Sequence, residues 1–138
     1  MAALTITAAN VTTGQAGQTT PSYQTAEAIT AGVAVYYDSS TSKVSLADNT
    51  GSTNAAVKGI ALSGASSGGY ILVAESGIIT TGATMTVGHL YYLGNADGNI
   101  HPVGDITGDV GAIVSAIYRA VTTTTALLEI NNTGLIIA

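Results

Sequence analysis

The chain has 138 residues, with 3 Lys+Arg against 8 Asp+Glu, a net charge of −5 and no cysteine. Charged residues make up 8%, against about 25% in an average soluble domain, and Lys43, Lys58 and Arg119 lie far apart. That pattern excludes an electrostatic footprint for nucleic acid or for an anionic membrane surface, and the missing cysteines exclude disulfides, zinc–thiolate sites and thiol nucleophiles.

In chain order, Met1 to Thr5 has no basic stretch and no long apolar run, so it does not read as a secretory signal, and a cytoplasm is the expected place of synthesis. Leu4-Thr5-Ile6-Thr7 alternates apolar and polar residues, a short strand signal. Thr12 to Pro21 is polar, glycine-bearing and aperiodic, and such a piece cannot bury enough apolar surface to order itself. Residues 1–25 are read either as a disordered leader or as an extended arm whose strand adds to a neighbour's sheet edge. Residues 26–138 read as a single all-β domain.

Within that domain Val33 to Tyr37 is β-branched and aromatic, Asp38 to Ser42 is a turn, and Lys43-Val44-Ser45-Leu46 alternates with Val44 and Leu46 on one face. Asp48 to Asn54 is a loop rich in residues that accept positive φ. Strands are expected over Ala56–Leu62 and Tyr70–Ala74, separated by a Gly/Ser turn. Tyr70 and Leu72 face one way and Ile71 and Val73 the other, which suits a central strand or a subunit contact. Leu90 to Leu93, Asn99 to His101, Val110 to Tyr118 and Ala126 to Ile130 complete the strands. The Val110 run lacks a 3.6-residue period and is rich in β-branched residues, so it is read as strand rather than helix. Asn131 to Gly134 is read as a turn, and the uncharged tail Leu135-Ile136-Ile137-Ala138 is expected to pack on its own core or on a neighbour.

The chain also repeats itself. A gapless shift of 56 places Ile29, Thr30, Gly32, Tyr36 and Val44 on Met85, Thr86, Gly88, Tyr92 and Ile100. Gly59 to Ser63 is answered by Gly111 to Ser115, and Leu72 to Glu75 by Ala126 to Glu129. Two similar β units, about 26–80 and 82–132, are therefore expected, forming a small β-barrel or β-sandwich with an extended N-terminal arm.

Chemistry-bearing patterns are weak. Ser40-Thr41-Ser42-Lys43 matches S-x-x-K inside a serine-rich turn, without the accompanying motifs. Gly64 to Gly69 lacks the Gly-Lys-Ser/Thr ending of a phosphate loop. His89 and His101 stand alone in strands, and Asp97, Asp105 and Asp109 sit in turns where Asp bonds its own backbone. Glu75 and Glu129 end equivalent strands without other cleft chemistry. No catalytic residue, cofactor or metal is expected. A surface so poor in charge is expected to be covered by partners, foremost by other copies of the chain.

The order of these pieces resembles the decoration, or cement, proteins of tailed-bacteriophage heads. The likeness runs through Ala28 to Tyr36, Val57 to Ala61, Gly69 to Val73, Gly77 to Ile79, Val87 to Tyr92, Gly98 to Pro102, Val110 to Ile113 and Leu127 to Ile130, covering about residues 26–130. It is carried by glycines and apolar strands, not by a catalytic signature. The resemblance implies a structural virion protein on the capsid exterior, a homotrimer that bridges neighbouring major capsid proteins and strengthens the head without any reaction. It also implies that the arm, Leu4, Thr5, Ile6 and Thr7, pairs with a capsid strand. Ile6→Asp is expected to weaken attachment while leaving the domain folded. Tyr70, Leu72, Leu135, Ile136 and Ile137 are the candidate subunit contact. The alternative is a trimeric phage fibre or receptor-binding module that holds host glycans on Asp48 to Asn54 and Gly94 to Gly98.

Overall fold

The computed structural model describes residues 3–13, 20–102 and 110–137, among which eleven strands and one 3-10 turn, Ala8–Asn10, are formed. The strands are β1 (Val11–Thr13), β2 (Ser22–Gln24), β3 (Ala34–Asp38), β4 (Lys43–Leu46), β5 (Val57–Ala61) and β6 (Tyr70–Ala74). After them come β7 (Gly77–Thr81), β8 (Leu90–Leu93), β9 (Ile100–Pro102), β10 (Ile113–Ala120) and β11 (Thr125–Ile136). They form two antiparallel sheets, ordered β2-β6-β5-β3-β4 and β1-β7-β11-β10-β8-β9. The protein is all-β, as its strand and turn pattern indicates.

The internal repeat is a repeat of topology. β6-β5-β3-β4 in one sheet has the order of β11-β10-β8-β9 in the other, and β2 flanks β6 as β7 flanks β11. Even the irregularities recur. β5 slips against β3 where Val35 faces Gly59 and Tyr36 faces Val57. β10 slips against β8 where Tyr91 faces Tyr118 and Tyr92 faces Ala116. Val35 and Tyr91 are related by the same 56-residue shift, as are Tyr36 and Tyr92, so the extra residue sits at one place in both units. A bulge of this kind sharpens local twist and bends the strand, which suits sheets that must curl.

These registers correct two of the sequence echoes. Gly59 corresponds in space to Tyr118, not to Gly111, and Val73 to Ala126, since Val73 faces Ala61 and Ala126 faces Ala120. Short apolar strings match in several offsets, and only the hydrogen-bond ladder distinguishes them. A Cβ on Gly59 would overlap the Ala74 carbonyl oxygen, so the first unit holds its strands close where the second admits a tyrosine ring.

The first sheet sends buried side chains to both of its faces. Ala34, Ile60 and Ala74 enter a large core shared with Ile79, Leu93, Ile117 and Tyr118 of the second sheet. Val35, Ala61, Ile71 and Val73 enter a smaller core with Ile29 and Val44. A strand with buried side chains on both sides loses the apolar/polar alternation, which is why Val33 to Tyr36 reads as a continuous apolar run, whereas Tyr70 to Ala74 is apolar throughout although Tyr70 and Leu72 lie exposed. The sheet curls around the smaller core until Thr25, just past β2, meets Val44 of β4 in a parallel bridge. Thr25 is fully buried there and donates its hydroxyl to the Ser66 carbonyl at 2.9 Å.

Three sequence expectations change. The arm expected over residues 1–25 is held to the domain at two of its described parts, because β1 joins β7 and β2 joins β6. Leu4 to Thr7 is extended backbone outside any strand, and its neighbour β1 carries the ladder instead. Asn131 to Gly134 is not a terminal turn but part of β11, which continues to Ile136 beside β10. The turn-like composition marks a slip: Ser115 faces Asn132 while Ile113 faces Ile136, and Gly134 takes φ +70° inside it. Asp105 and Asp109 lie outside the described residues.

Candidate interaction surface

Ion pairs and turn carboxylates come first, because they hold the polar chemistry of the chain. Glu75 Oε1 receives the Tyr23 hydroxyl at 3.1 Å and lies 3.1 Å from Lys58 Nζ, and the Tyr23 ring leans on Tyr37 with centroids 5.7 Å apart. The Glu75 hydrogen bond and charge raise the Lys58 pKa, and Tyr23 is raised by burial and then by Glu75. This carboxylate ties β2, β5 and β6 together. Glu129 is engaged separately by Arg119 at 3.4 Å. Glu129 lies inside β11 and not at a strand end as the sequence suggests, and the two glutamates are each occupied by their own base.

The Ser40–Lys43 motif is a turn device. Asp38 Oδ1 accepts the Ser40 N–H at 2.9 Å and its hydroxyl at 2.6 Å, and the Ser40 hydroxyl is the chief cause holding Asp38 below the ordinary carboxylate range. Asp48 likewise accepts from the Thr50 hydroxyl, the Thr50 N–H and Asn54 Nδ2. The Gly94 to Gly98 turn is docked: Ala34 and Asn49 donate backbone N–H groups to the Gly98 and Gly94 carbonyls, and Gly98 donates to Ala47. No cluster of three His, Cys, Asp or Glu side chains able to hold a metal occurs among the described residues.

No protein-family model matches the chain, and no curated protein matches it.

Two apolar areas stand open. On β6 Tyr70 is 67% and Leu72 44% exposed, beside Gln24 and Ser22 of β2. On the β10–β11 ribbon Leu135 and Ile136 are each 66% exposed, and Val110, just ahead of β10, is 77% exposed. Ile137 is half-buried and holds the ribbon end, its N–H on the Ala112 carbonyl and its carbonyl receiving Gly111. β11 pairs with β7 only as far as Leu128. Beyond it the strand is laddered on one side, to β10. Asn132 fixes the ribbon to the first sheet, since its side-chain amide donates to the Val57 carbonyl at 3.1 Å and accepts the Val57 N–H at 3.0 Å.

The third feature is a filled groove. Leu4 donates its N–H to the Ile100 carbonyl at 2.9 Å and Thr7 to the Gly82 carbonyl at 2.8 Å. Leu4 and Ile6 pack on the large core, and Val11 is 5% exposed. The floor is glycine. Gly32 has φ +100° and Gly82 φ +77°, a Cβ on Gly32 would overlap Ile6 Cγ2, and one on Gly82 would lie 2.9 Å from Val11 Cγ2. An adjoining open cleft of about 620 Å³ is lined on one side by Ala3, Leu4 and Thr5 and on the other by Thr80, Ala83 and Thr124.

Of the residues expected to make contacts, Leu4 and Ile6 are therefore seated on their own domain, while Tyr70, Leu72, Leu135 and Ile136 are displayed. Val110 and the Gly32–Gly82 floor were not singled out from sequence. Gly32 was visible as one half of the repeated glycine pair, but its partner Gly88 meets open space, so the repeat carries no sign of the groove.

Proposed function

We propose that this chain is a structural virion protein that binds the outside of a tailed-phage capsid as a homotrimer and bridges major capsid proteins. The observation that carries the reading is the set of large apolar side chains presented on laddered backbone, Tyr70 and Leu72 on β6 and Leu135 and Ile136 on β11. Ordered strands that display such side chains are suited to partner contact, and the resemblance to decoration proteins supplies the partner. The fibre alternative would use Asp48 to Asn54 and Gly94 to Gly98, where Asp48, Thr50 and Asn54 are engaged with one another and the Gly94 and Gly98 backbone with neighbouring segments. The capsid contact assigned to Leu4, Thr5, Ile6 and Thr7 requires that segment to leave the Gly32–Gly82 groove, so release is a step of the mechanism. Because Ile6 packs on the core, Ile6→Asp lowers stability as well as attachment, which removes it as a clean probe.

The test is co-sedimentation of the purified protein with expanded capsids that lack decoration. Saturable binding at one trimer per three-fold position is the expected result. A folded protein that stays in the supernatant at every concentration overturns the reading.

A further inference from the structure

We propose that the groove floored by Gly32 and Gly82 is a peptide-binding site that also works in trans, receiving residues 3–13 of a second copy of the chain. The inference rests on the seated segment and not on the capsid reading.

Everything that recognises the segment is local to it. Two backbone N–H groups, of Leu4 and Thr7, reach the Ile100 and Gly82 carbonyls. Three rungs join β1 to β7, Val11 to Thr81, Thr12 to Thr80 and Thr13 to Ile79. Ile6 and Val11 fill notches that exist because two glycines carry no Cβ. Each of these contacts is delivered equally well by the same segment from another chain. The groove is also built from separated parts of the sequence, Gly32 ahead of β3, Gly82 after β7 and Ile100 in β9, so none of its floor comes from the segment itself.

Only tethering favours the chain's own copy. The nine peptide links from Thr13 to Ser22 reach at most about 30 Å, and a short tether gives an effective concentration on the order of millimolar. Copies held at comparable local density compete on equal terms, which is the condition for exchange of an identical element. Electrostatics do not oppose it, because no Asp, Glu, Lys, Arg or His occurs before Glu27. A segment entering the next copy's groove makes a head-to-tail contact, of the kind that closes into a ring when the rotation permits.

The chain has no cysteine, so the exchange can be trapped by placing one on each side of the β1–β7 ladder. Thr12→Cys and Thr80→Cys are made in separate chains, unfolded together, refolded at high concentration and oxidised. The expected product is a disulfide-linked pair containing one chain of each type, its yield rising with protein concentration. An excess of free peptide spanning residues 3–13 lowers that yield at least several-fold, and the same peptide carrying Ile6→Asp does not. The double variant, Thr12→Cys with Thr80→Cys, calibrates the geometry. If it closes only within single chains while the mixture gives no mixed pair, the proposal is overturned. A mixed pair insensitive to the peptide is a collision product and overturns it too. Failure of the double variant to form any disulfide removes the segment from the groove and the proposal with it.

Discussion

Tyr118 is the residue whose environment makes the sharpest demand. It is fully buried, its ring lies 5.9 Å from that of Tyr91, and its hydroxyl has no hydrogen-bond partner. An unmet buried hydroxyl costs about 1–3 kcal/mol. Burial, then the neighbouring Tyr91, raises its pKa strongly. The folded pKa lies above that of the unfolded chain, so the effect on stability is absent below about pH 10 and appears as the unfolded phenol begins to ionise. Each further pH unit then removes up to about 1.4 kcal/mol through this group. Tyr118→Phe should therefore raise stability at neutral pH by about 1 kcal/mol and flatten the alkaline limb of a urea-melt series taken between pH 8 and pH 11. An unchanged alkaline slope would exclude Tyr118 as its source. At this scale the sequence was informative about turns, where Asp38 and Asp48 satisfy themselves within a few residues. It was silent about Tyr118, because the absence of a partner is a property of packing and not of neighbours in the chain.

Among the elements, β11 shows where local reading ends. Asn131-Asn132-Thr133-Gly134 has the composition of a turn, yet the strand runs through it because β10 offers a continuous ladder and the extra residues are absorbed as a slip. Asn132 serves as a backbone surrogate there, pairing with both polar groups of Val57 across a long stretch of chain. Asn132→Ala should lower stability by about 1–3 kcal/mol with an unchanged urea m-value, since the surface exposed on unfolding is nearly the same. A shift in m would instead mean that the ribbon had detached in the folded state. The repeat itself was legible, since β3–β4 and β8–β9 keep one spacing and one turn. The alignment of β5 and β6 with β10 and β11 is not legible in the same way, because duplicate bulges shift the hydrogen-bond register without leaving a residue type that marks them.

At the scale of the whole molecule, two sheets of one topology share a core, and the N-terminal segment lies across both units. The displayed side chains on β6 and β11 are the part of the surface that self-association would cover. Replacing Leu135 and Ile136 together with serine changes residues already exposed, so the melting temperature should move by no more than about 1–2 °C. On the proposed homotrimer reading, light scattering should find a trimer for the parent chain and a monomer for this variant. Retention of the oligomer would move the subunit contact away from the ribbon. That the domain is all-β could be read from its strand and turn pattern, and its low charge from composition. That its first residues belong to its core could not, because their partners lie as far along the chain as Ile100.

That separation has a consequence during translation. Leu4 leaves the ribosome nearly a hundred residues before the Ile100 carbonyl that will receive its N–H, an interval on the order of 5–20 s at about 5–20 residues per second. For that time Leu4, Ile6 and Val11 are apolar side chains with nowhere to go. Ribosomes following one another along a single message hold such nascent segments close to chains just released ahead of them, whose grooves can be finished. The earliest meeting between two copies can therefore take place before the later one has been released.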